Sequence, residues 1–285
     1  MPKVIADIGI NHNGDISKVL EMIDAVKHCG ADYVKLQKRD IESCYTEEDL
    51  SKPCSSPWGA TVGDKVYGRE LAWSDFHLIA NRCDERSLGW SASCFDLKSL
   101  EELETLYGER IAFHKVPSAM AKHEAFLKQV ASYGRLTFIS VGLASNLHEV
   151  KTVCRIFEEL SCKYVLNITT ALYPTSLARC NIARIETIRN FRFCELHHCV
   201  GVGYSGHEVG LLPSIVAVCF GATHIERHFT LDRSWYGADQ ASSLEPEGLR
   251  RLCRDVSQIE DIAGSPKIQL MGDEKNPVTF FKGTQ

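Results

Sequence analysis

Short apolar runs rich in β-branched residues alternate along the chain with longer stretches of helical periodicity. This alternation is typical of βα units around a parallel sheet. Eight runs are predicted as strands: Val4–Ile10, Tyr33–Gln37, Gly89–Ser93, Ile111–Val116, Leu136–Val141, Tyr164–Thr170, Cys199–Tyr204 and Thr223–Phe229. Helices are predicted at Ser17–Cys29, Ser74–Arg86, Leu97–Tyr107, Lys122–Tyr133, Asn146–Leu160, Val209–Phe220 and Pro246–Ala263.

Eight strands with helical crossovers predict a closed (β/α)8 TIM barrel of the α/β class, formed as a single domain. An open doubly wound sheet has the same alternation and is the alternative. We assign residues 1–264 to the barrel and residues 265–285 to a short polar tail. Residues 38–71 contain several prolines and glycines with little periodicity, so they are predicted to form a long functional or mobile loop.

Composition excludes a disordered, collagen-like or coiled-coil protein. The chain has 285 residues, 44% apolar and 24% charged, which is enough apolar material for a large core. A formal net charge of -5 predicts no general attraction to nucleic acid or to an anionic membrane. The 12 cysteines are irregularly spaced, and the first residues do not resemble a signal peptide. A cytoplasmic, reducing location is therefore predicted, with no membrane span.

Polar side chains interrupt the predicted strands near their carboxyl ends, although the strands of a parallel barrel are usually almost entirely apolar. Active sites of such barrels are built at this rim. A single rim serine is more often a cap or turn residue, so the evidence is the group as a whole. Its members are Asp7, Lys35, Gln37, Ser93, Lys115, Ser118, Ser140, Tyr173, Ser205, His207, Glu226 and His228.

The two lysines predict an anion site. Lys35 lies near the centre of an apolar strand and shares a face with Gln37, because side chains of a strand alternate with a period of two. A buried ammonium costs several kcal/mol unless an anion compensates it. Lys115 has a similar place in the fourth strand, so the two ammonium groups are predicted to bind a phosphate or carboxylate.

Two histidines predict a metal site. His207 and His228 end adjacent strands, and neutral imidazoles in that arrangement bind borderline divalent ions, with water completing the shell. Glu226 and Asp239 are close to them in the sequence. Either histidine alone is more simply interpreted as a buried structural residue.

Two other motifs have competing interpretations. Residues 201–206 fit the pattern G-x-G-x-x-G of a dinucleotide site, but only one predicted strand follows them, so the nucleotide-binding half would be incomplete. Cys194, His197, His198 and Cys199 have the composition of a zinc cluster. They precede the seventh strand, so they are predicted to lie in a surface loop on the face opposite the rim.

Nine motifs taken together resemble the sialic acid (N-acetylneuraminate) synthase family: IADIGINHNGD, YVKLQ, SASCFD, HKVPSA, ISVGLAS, LYPT, GYSGHEVG, GATHIERHFTLD and GADQASSLEPEGL. They occur in the family's order from residue 3 to about 264. The resemblance implies a barrel transferase of carbohydrate biosynthesis. It would condense phosphoenolpyruvate with N-acetylmannosamine, mannose, or a related hexose or its 6-phosphate, giving a nine-carbon 2-keto acid and phosphate. It also implies a divalent metal, commonly Mn²⁺, with Mg²⁺ and Co²⁺ as alternatives.

The resemblance also assigns roles by position in the motifs. The residues expected to bind phosphoenolpyruvate are Lys35, Lys115, Ser118, Ser140 and Ser205. The residues expected to bind the metal are His207 and His228. The residues expected to face the acceptor sugar are Gln37, Ser93, Tyr173 and Asp239. Catalytic roles are expected for Asp7, Glu226 and Lys115, with Glu226 beside the metal and Asp7 near C2 of phosphoenolpyruvate.

Some features depart from the family. Asp7 stands where glutamate is usual, so its carboxylate reaches about 1.5 Å less far. Ala171 occupies a position that is often polar. The chain ends before the antifreeze-like domain that many relatives carry, so a form without it is expected and a homo-oligomer is left open.

Two other functions are alternatives: another metal-dependent barrel aldolase or isomerase, and a catalytically silent barrel that binds sugar phosphates.

Overall fold

Eight parallel strands close into a barrel surrounded by helices. The computed structural model describes residues 1–265 and 267, except for the side chains of residues 193–195. The strands are β1 (Lys3–Gly9), β2 (Tyr33–Lys38), β3 (Pro53–Ser56), β4 (Gly59–Thr61), β5 (Gly89–Cys94), β6 (His114–Val116), β7 (Thr137–Ser140), β8 (Tyr164–Thr169), β9 (Cys199–Gly206) and β10 (His224–His228). The helices are α1 (Ile16–Cys29), α2 (Ile41–Cys44), α3 (Glu47–Ser51), α4 (Val62–Arg69), α5 (Trp73–Glu85), α6 (Leu97–Tyr107), α7 (Glu124–Ser132), α8 (Leu147–Glu159), α9 (Arg184–Glu195), α10 (Leu212–Cys219) and α11 (Pro246–Ala263).

The strand order confirms the predicted TIM barrel. Hydrogen-bonded neighbours follow the closed order β1-β10-β9-β8-β7-β6-β5-β2, and every pair in the barrel is parallel. The open doubly wound alternative is wrong because β1 pairs with both β2 and β10, which leaves the sheet without an edge. Each predicted strand coincides with an observed one, although β6 is shorter than the predicted run Ile111–Val116.

Apolar side chains close the bottom of the barrel beneath the rim. Ile5, Phe113, Phe138 and Val165 form a separate inner cluster, and each is at most 1% exposed. The rings of Phe113 and Phe138 meet edge to face with centroids 4.7 Å apart, a favourable arrangement for aromatic pairs. This layer fills the barrel with side chains, so polar groups above it face a dry floor.

Side-chain caps fix where the helices begin. Asp15 accepts hydrogen bonds from the backbone N–H groups of Ser17 and Lys18 at the start of α1. Asp96 caps α6 and Asn146 caps α8 in the same way. These caps satisfy donors that the first helical turn leaves unpaired, so they fix the start of the helix in these three units.

The segment between β2 and α5 is more ordered than the sequence indicated. We predicted residues 38–71 as a long loop, but they contain α2, α3, the β3–β4 hairpin and α4. Reciprocal capping boxes at Thr46 and Thr61 start α3 and α4, and helices this short show no long apolar periodicity in the sequence. The ring of Trp58 lies 5.6 Å from that of Tyr236, so the segment packs against the loop after β10.

Two further predictions concern a membrane-spanning helix and the C-terminal tail. Within the described residues, no helix combines the length and apolar character needed to cross a bilayer. The predicted tail at 265–285 falls outside the described residues, except for positions 265 and 267.

Candidate active site

The carboxyl ends of the barrel strands bring the predicted polar side chains into one cleft. Its volume is about 630 Å³, including space open to solvent. Asp239 stands outside the lining, but its Oδ2 lies 3.9 Å from Nδ1 of His228. The other predicted site residues line the cleft: Asp7, Lys35, Gln37, Ser93, Lys115, Ser118, Ser140, Tyr173, Ser205, His207, Glu226 and His228.

Strand register accounts for this convergence. Asp7 of β1 is level with His228 of β10 on one side and with Lys35 of β2 on the other. Further around the barrel, Ser93 of β5 is level with Lys115 of β6. Inward side chains at the same height of a closed barrel meet near its axis, so residues far apart in sequence become neighbours.

Two lysines and two carboxylates form a buried cluster. Lys35 Nζ lies 2.7 Å from Asp7 Oδ2, and Lys115 Nζ lies 2.5 Å from Glu226 Oε2. Glu226 Oε1 is 3.9 Å from Lys35 Nζ, so this carboxylate lies between the two ammonium groups. We expected a bound anion to compensate the charges of the two lysines. The chain's own carboxylates supply that compensation, because each lysine nitrogen lies against one of them.

The cluster determines the ionisation of its members. Burial lowers the pKa of Lys115, and the carboxylate of Glu226 opposes that effect only in part. For Lys35 burial also favours the neutral form, but attraction to Asp7 and Glu226 outweighs it and raises the pKa. Burial favours protonation of Glu226, yet the ammonium groups of Lys115 and Lys35 lower its pKa below the ordinary value. Lys35 and Glu226 are therefore charged at neutral pH.

Serine hydroxyls surround these charges. The Oγ of Ser93 accepts a hydrogen bond from Lys35 Nζ at 2.9 Å, and the Oγ of Ser205 donates to Glu226 Oε1 at 3.1 Å. Ser118 and Ser140 line the same cleft. Gly142 lets the loop after β7 approach closely, since a Cβ there would lie 3.1 Å from Ser118 Oγ. Small hydroxyls and ammonium groups together suit an anion with several oxygens.

The two predicted metal-binding histidines lie next to each other at the rim, with their ring planes tilted by 43°. The ring centroids of His207 and His228 are 5.3 Å apart, and the ring of Tyr173 is 4.1 Å from that of His207. Burial, together with the neighbouring His228, lowers the pKa of His207 to about 3. His207 is therefore a neutral imidazole, and its Nδ1–H donates to the carbonyl of Thr170 at 2.8 Å. That tautomer leaves the Nε2 lone pair available.

The donor set present fits a divalent metal. Among the described residues, no group of three or more His, Cys, Asp or Glu side chains forms a complete metal site. Nδ1 of His228 and Oδ1 of Asp7 are buried, and neither has a hydrogen-bond partner in the described part of the chain. Two imidazole nitrogens suit a borderline ion such as Co²⁺, and water oxygens in the remaining positions also suit Mn²⁺.

A second buried ion pair, which sequence reasoning missed, supports the loop that carries His207. Arg227 Nη1 lies 3.0 Å from Glu208 Oε1, and both side chains are fully buried. Arg227 also donates to the carbonyls of Glu208 and Gly210. Tyr204 OH donates to Glu208 Oε2 at 2.8 Å. Strand alternation turns Arg227 outward, away from its neighbours Glu226 and His228, which face the cleft.

Arg227→Met is expected to lower the free energy of unfolding by about 3–5 kcal/mol, because it leaves the charge of Glu208 buried without its partner. Urea unfolding followed by circular dichroism measures the change. Arg110→Met, which removes a solvent-exposed pair with Asp84, is the matched control and should cost under about 1 kcal/mol. Equal losses in the two variants would contradict the structural role of Arg227.

The two competing motifs have structural explanations. Residues 201–206 lie inside strand β9 and do not form a phosphate-binding turn. His198 is on the loop before β9, where its Nδ1 lies 2.9 Å from Glu158 Oε2. The side chain of Cys199 is buried in β9, and that of Cys194 lies outside the described side chains.

Comparison with known proteins identifies similar sequences and structures. The model of the NeuB family matches residues 22–267. The N-acetylneuraminate-9-phosphate synthase of Mus musculus is 34% identical over 270 residues, which are 94% of this chain and 73% of that protein. The N,N'-diacetyllegionaminic acid synthase of Campylobacter jejuni is 30% identical over 92% of this chain and 77% of that protein.

Solved structures lead to the same group. The N-acetylneuraminic acid synthetase of Leptospira borgpetersenii serovar Hardjo-bovis superposes with a TM-score of 0.83 at 25% sequence identity. The match covers 98% of this chain and 90% of that chain. Similarity therefore extends over nearly all of the barrel, including the rim where the polar cluster lies.

Proposed function

The chain belongs to the NeuB family, and on this premise we propose that it condenses phosphoenolpyruvate with an aldose to give a nine-carbon 2-keto acid and phosphate. The observation that carries the proposal is the shared cleft, in which two ammonium groups and two imidazoles face one another. Curated relatives named for sialic and legionaminic acid synthesis support the same class of product.

The proposed binding mode follows from charge. Lys35 and Lys115 bind the carboxylate and phosphate of phosphoenolpyruvate, and Ser118, Ser140 and Ser205 donate hydrogen bonds to its oxygens. Because the resting cluster is already balanced by two carboxylates, the incoming anion competes with Glu226 for Lys115. Binding therefore shifts Glu226 away from Lys115 and leaves its carboxylate beside C2.

The proposed metal is held by His207 and His228. When bound, a divalent ion such as Mn²⁺ supplies Lewis-acid polarisation of the acceptor's carbonyl group. Gln37, Ser93 and Tyr173, which line the cleft, orient the acceptor sugar together with Asp239, which lies 3.9 Å from His228. Tyr173 donates a hydrogen bond as a neutral phenol, because burial raises the pKa of its hydroxyl above the ordinary value.

The proposed reaction balances with one water. The C2–C3 π electrons of phosphoenolpyruvate form a bond to the aldehyde carbon, and the aldehyde oxygen takes up a proton. The carboxylates of Asp7 and Glu226 stabilise the positive charge that develops at C2. Water adds to C2 and gives one proton to Asp7, which replaces the proton taken up by the new hydroxyl at the former aldehyde carbon. The C2–O bond to phosphate then breaks, and the proton of the C2 hydroxyl leaves with the phosphate as C2 becomes the keto carbon. Asp7 suits this step because its Oδ1 is buried without a partner among the described residues.

The test of the function is a screen for phosphate release. Mannose, N-acetylmannosamine and their 6-phosphates are each mixed with phosphoenolpyruvate and enzyme, with Mn²⁺ or with chelator. The proposal expects release only when aldose and metal are both present. Release without any aldose would contradict it, as would an isomerase or aldolase activity that consumes no phosphoenolpyruvate. Tight binding of phosphoenolpyruvate without turnover of any aldose would identify a silent barrel.

Asp7→Asn is expected to lower kcat by at least about 100-fold, because a positioned general base contributes about 10²–10⁴. Asp7→Glu keeps a carboxylate and should retain measurable turnover. Affinity for phosphoenolpyruvate, measured by calorimetry, separates this role from the ion pair with Lys35. A fall in affinity as large as the fall in kcat would assign Asp7 to binding alone.

A further inference from the structure

A second cleft opens from the proposed catalytic cleft. It has a volume of about 1510 Å³, including open solvent, and lies between the segment after β2 and the segments after β5 and β6. Phe95 and Ala119 line both clefts, so the two are continuous. A substrate bound at the rim can therefore extend into this second space without leaving the protein surface.

Arg39 is the notable charge in the second cleft. Its guanidinium lies over the ring of Phe95 at 4.0 Å, and Nη2 donates to Oε1 of Gln37. In the described part of the chain it makes no ion pair, because nearby Glu70 accepts instead from Lys38 Nζ at 3.0 Å and from the backbone N–H of Arg39. Most of its five N–H donors are left for a ligand.

The other charges of this cleft are largely engaged. Lys98 Nζ pairs with Asp40 at 2.7 Å. Asp96 accepts hydrogen bonds from the backbone N–H groups of Asp40 and Ser99 and from the Ser99 hydroxyl. Glu101 also lines the cleft. With carboxylates present, overall charge does not select an anion; the position of Arg39 next to Gln37 does.

Gln37 connects Arg39 to the histidines. A Cβ built on Gly9 would lie 3.1 Å from Gln37 Nε2 and 3.4 Å from the ring of His228, so these two groups are close together. A single amide therefore separates the His228 ring from the Arg39 guanidinium. An open-chain hexose phosphate spans roughly 8–9 Å from carbonyl carbon to phosphorus, at about 1.5 Å per carbon–carbon bond. That length covers a gap of this size.

We propose that Arg39 binds a phosphate monoester on the acceptor, at the end remote from the aldehyde, so that the acceptor is a phosphorylated aldose. The inference rests on the proposed function and commits it to one class of acceptor. The planar fork of arginine matches two phosphate oxygens, and its stacking on Phe95 fixes the fork in one orientation.

The test compares acceptors that differ only in the phosphate. For wild type, kcat/KM with N-acetylmannosamine 6-phosphate should exceed kcat/KM with N-acetylmannosamine by at least about tenfold, as expected for hydrogen bonds between charged groups. Arg39→Gln should reduce this ratio at least about tenfold, and Arg39→Lys should restore part of it. Lys98→Gln is the matched control, since it removes a paired charge from the same cleft and should keep the wild-type ratio.

Two outcomes overturn the proposal and leave the proposed function in place. The first is a wild-type ratio near one; the second is a ratio that Arg39→Gln does not change. If no aldose supports phosphate release, the proposed function has failed, and calorimetric titration still tests Arg39. Mannose 6-phosphate should then bind wild type at least about tenfold more tightly than Arg39→Gln. Equal affinity for the two proteins would refute the phosphate site.

Discussion

Lys115→Met is expected to lower the affinity for phosphoenolpyruvate at least about 100-fold while the barrel remains folded. The side chain is buried and similar in volume to methionine, so the packing is preserved. What is lost is the ammonium group, which supplies charge-assisted hydrogen bonds worth about 1.5–3 kcal/mol each. Calorimetric titration with phosphoenolpyruvate measures the change. Lys3→Met, which removes an exposed pair with Asp32, should leave the affinity unaltered.

A double variant separates binding from stability. Lys115→Met leaves the charge of Glu226 with a single ammonium neighbour at 3.9 Å, so it also destabilises the fold. Adding Glu226→Gln removes that charge and should recover most of the lost free energy of unfolding. Affinity for phosphoenolpyruvate should stay low in the double variant. Near-normal affinity in both variants would refute the assigned anion site.

His207→Ala and His228→Ala are each expected to reduce bound divalent metal at least about tenfold and phosphate release at least about 1000-fold. Each removes one of two imidazoles in a site where water completes the shell, so a single remaining side chain holds the ion weakly. Metal content by elemental analysis after dialysis measures the first effect independently of turnover. His198→Ala is the control, because His198 lies on the loop before β9 and pairs there with Glu158 of α8.

Chelation gives the same test without mutation. Wild-type protein freed of metal should lose phosphate release and regain it with Mn²⁺, whereas binding of phosphoenolpyruvate to the lysines should persist. Stoichiometric metal in both histidine variants would show that other groups bind the ion. Full turnover by the chelated wild type would remove the metal from the account.

The barrel was predictable because its signals are local. Strand runs of five to seven residues alternate with helical stretches along the chain, and eight such units are the number that a closed (β/α)8 barrel requires. The helix α9 (Arg184–Glu195) escaped prediction because its apolar periodicity is weak and its N-cap, Ala183, makes no side-chain cap. The segment after β2 escaped because its elements are short and are defined by capping boxes.

The candidate site was predictable as a set of residues but not as an arrangement of charges. Polar residues at strand ends identified which side chains face the rim. Pairing of Lys115 with Glu226 spans 111 positions in sequence, so it depends on strand register and closure. The sequence therefore indicated two lysines that lack partners, whereas the fold places a carboxylate between them. For Arg227, alternation within β10 was a usable signal, because a charged residue facing away from the barrel axis needs a buried partner.

The most direct test of the central claim follows the bridging oxygen of phosphoenolpyruvate. Substrate labelled with ¹⁸O at the C2–O–P bridge is incubated with enzyme, Mn²⁺ and the best acceptor from the screen, and both products are analysed by mass spectrometry. Condensation with cleavage of the C–O bond predicts the label in inorganic phosphate and a 2-keto acid heavier than the aldose by one pyruvate unit. Label retained in the keto acid, or pyruvate released without a new carbon–carbon bond, would contradict the account.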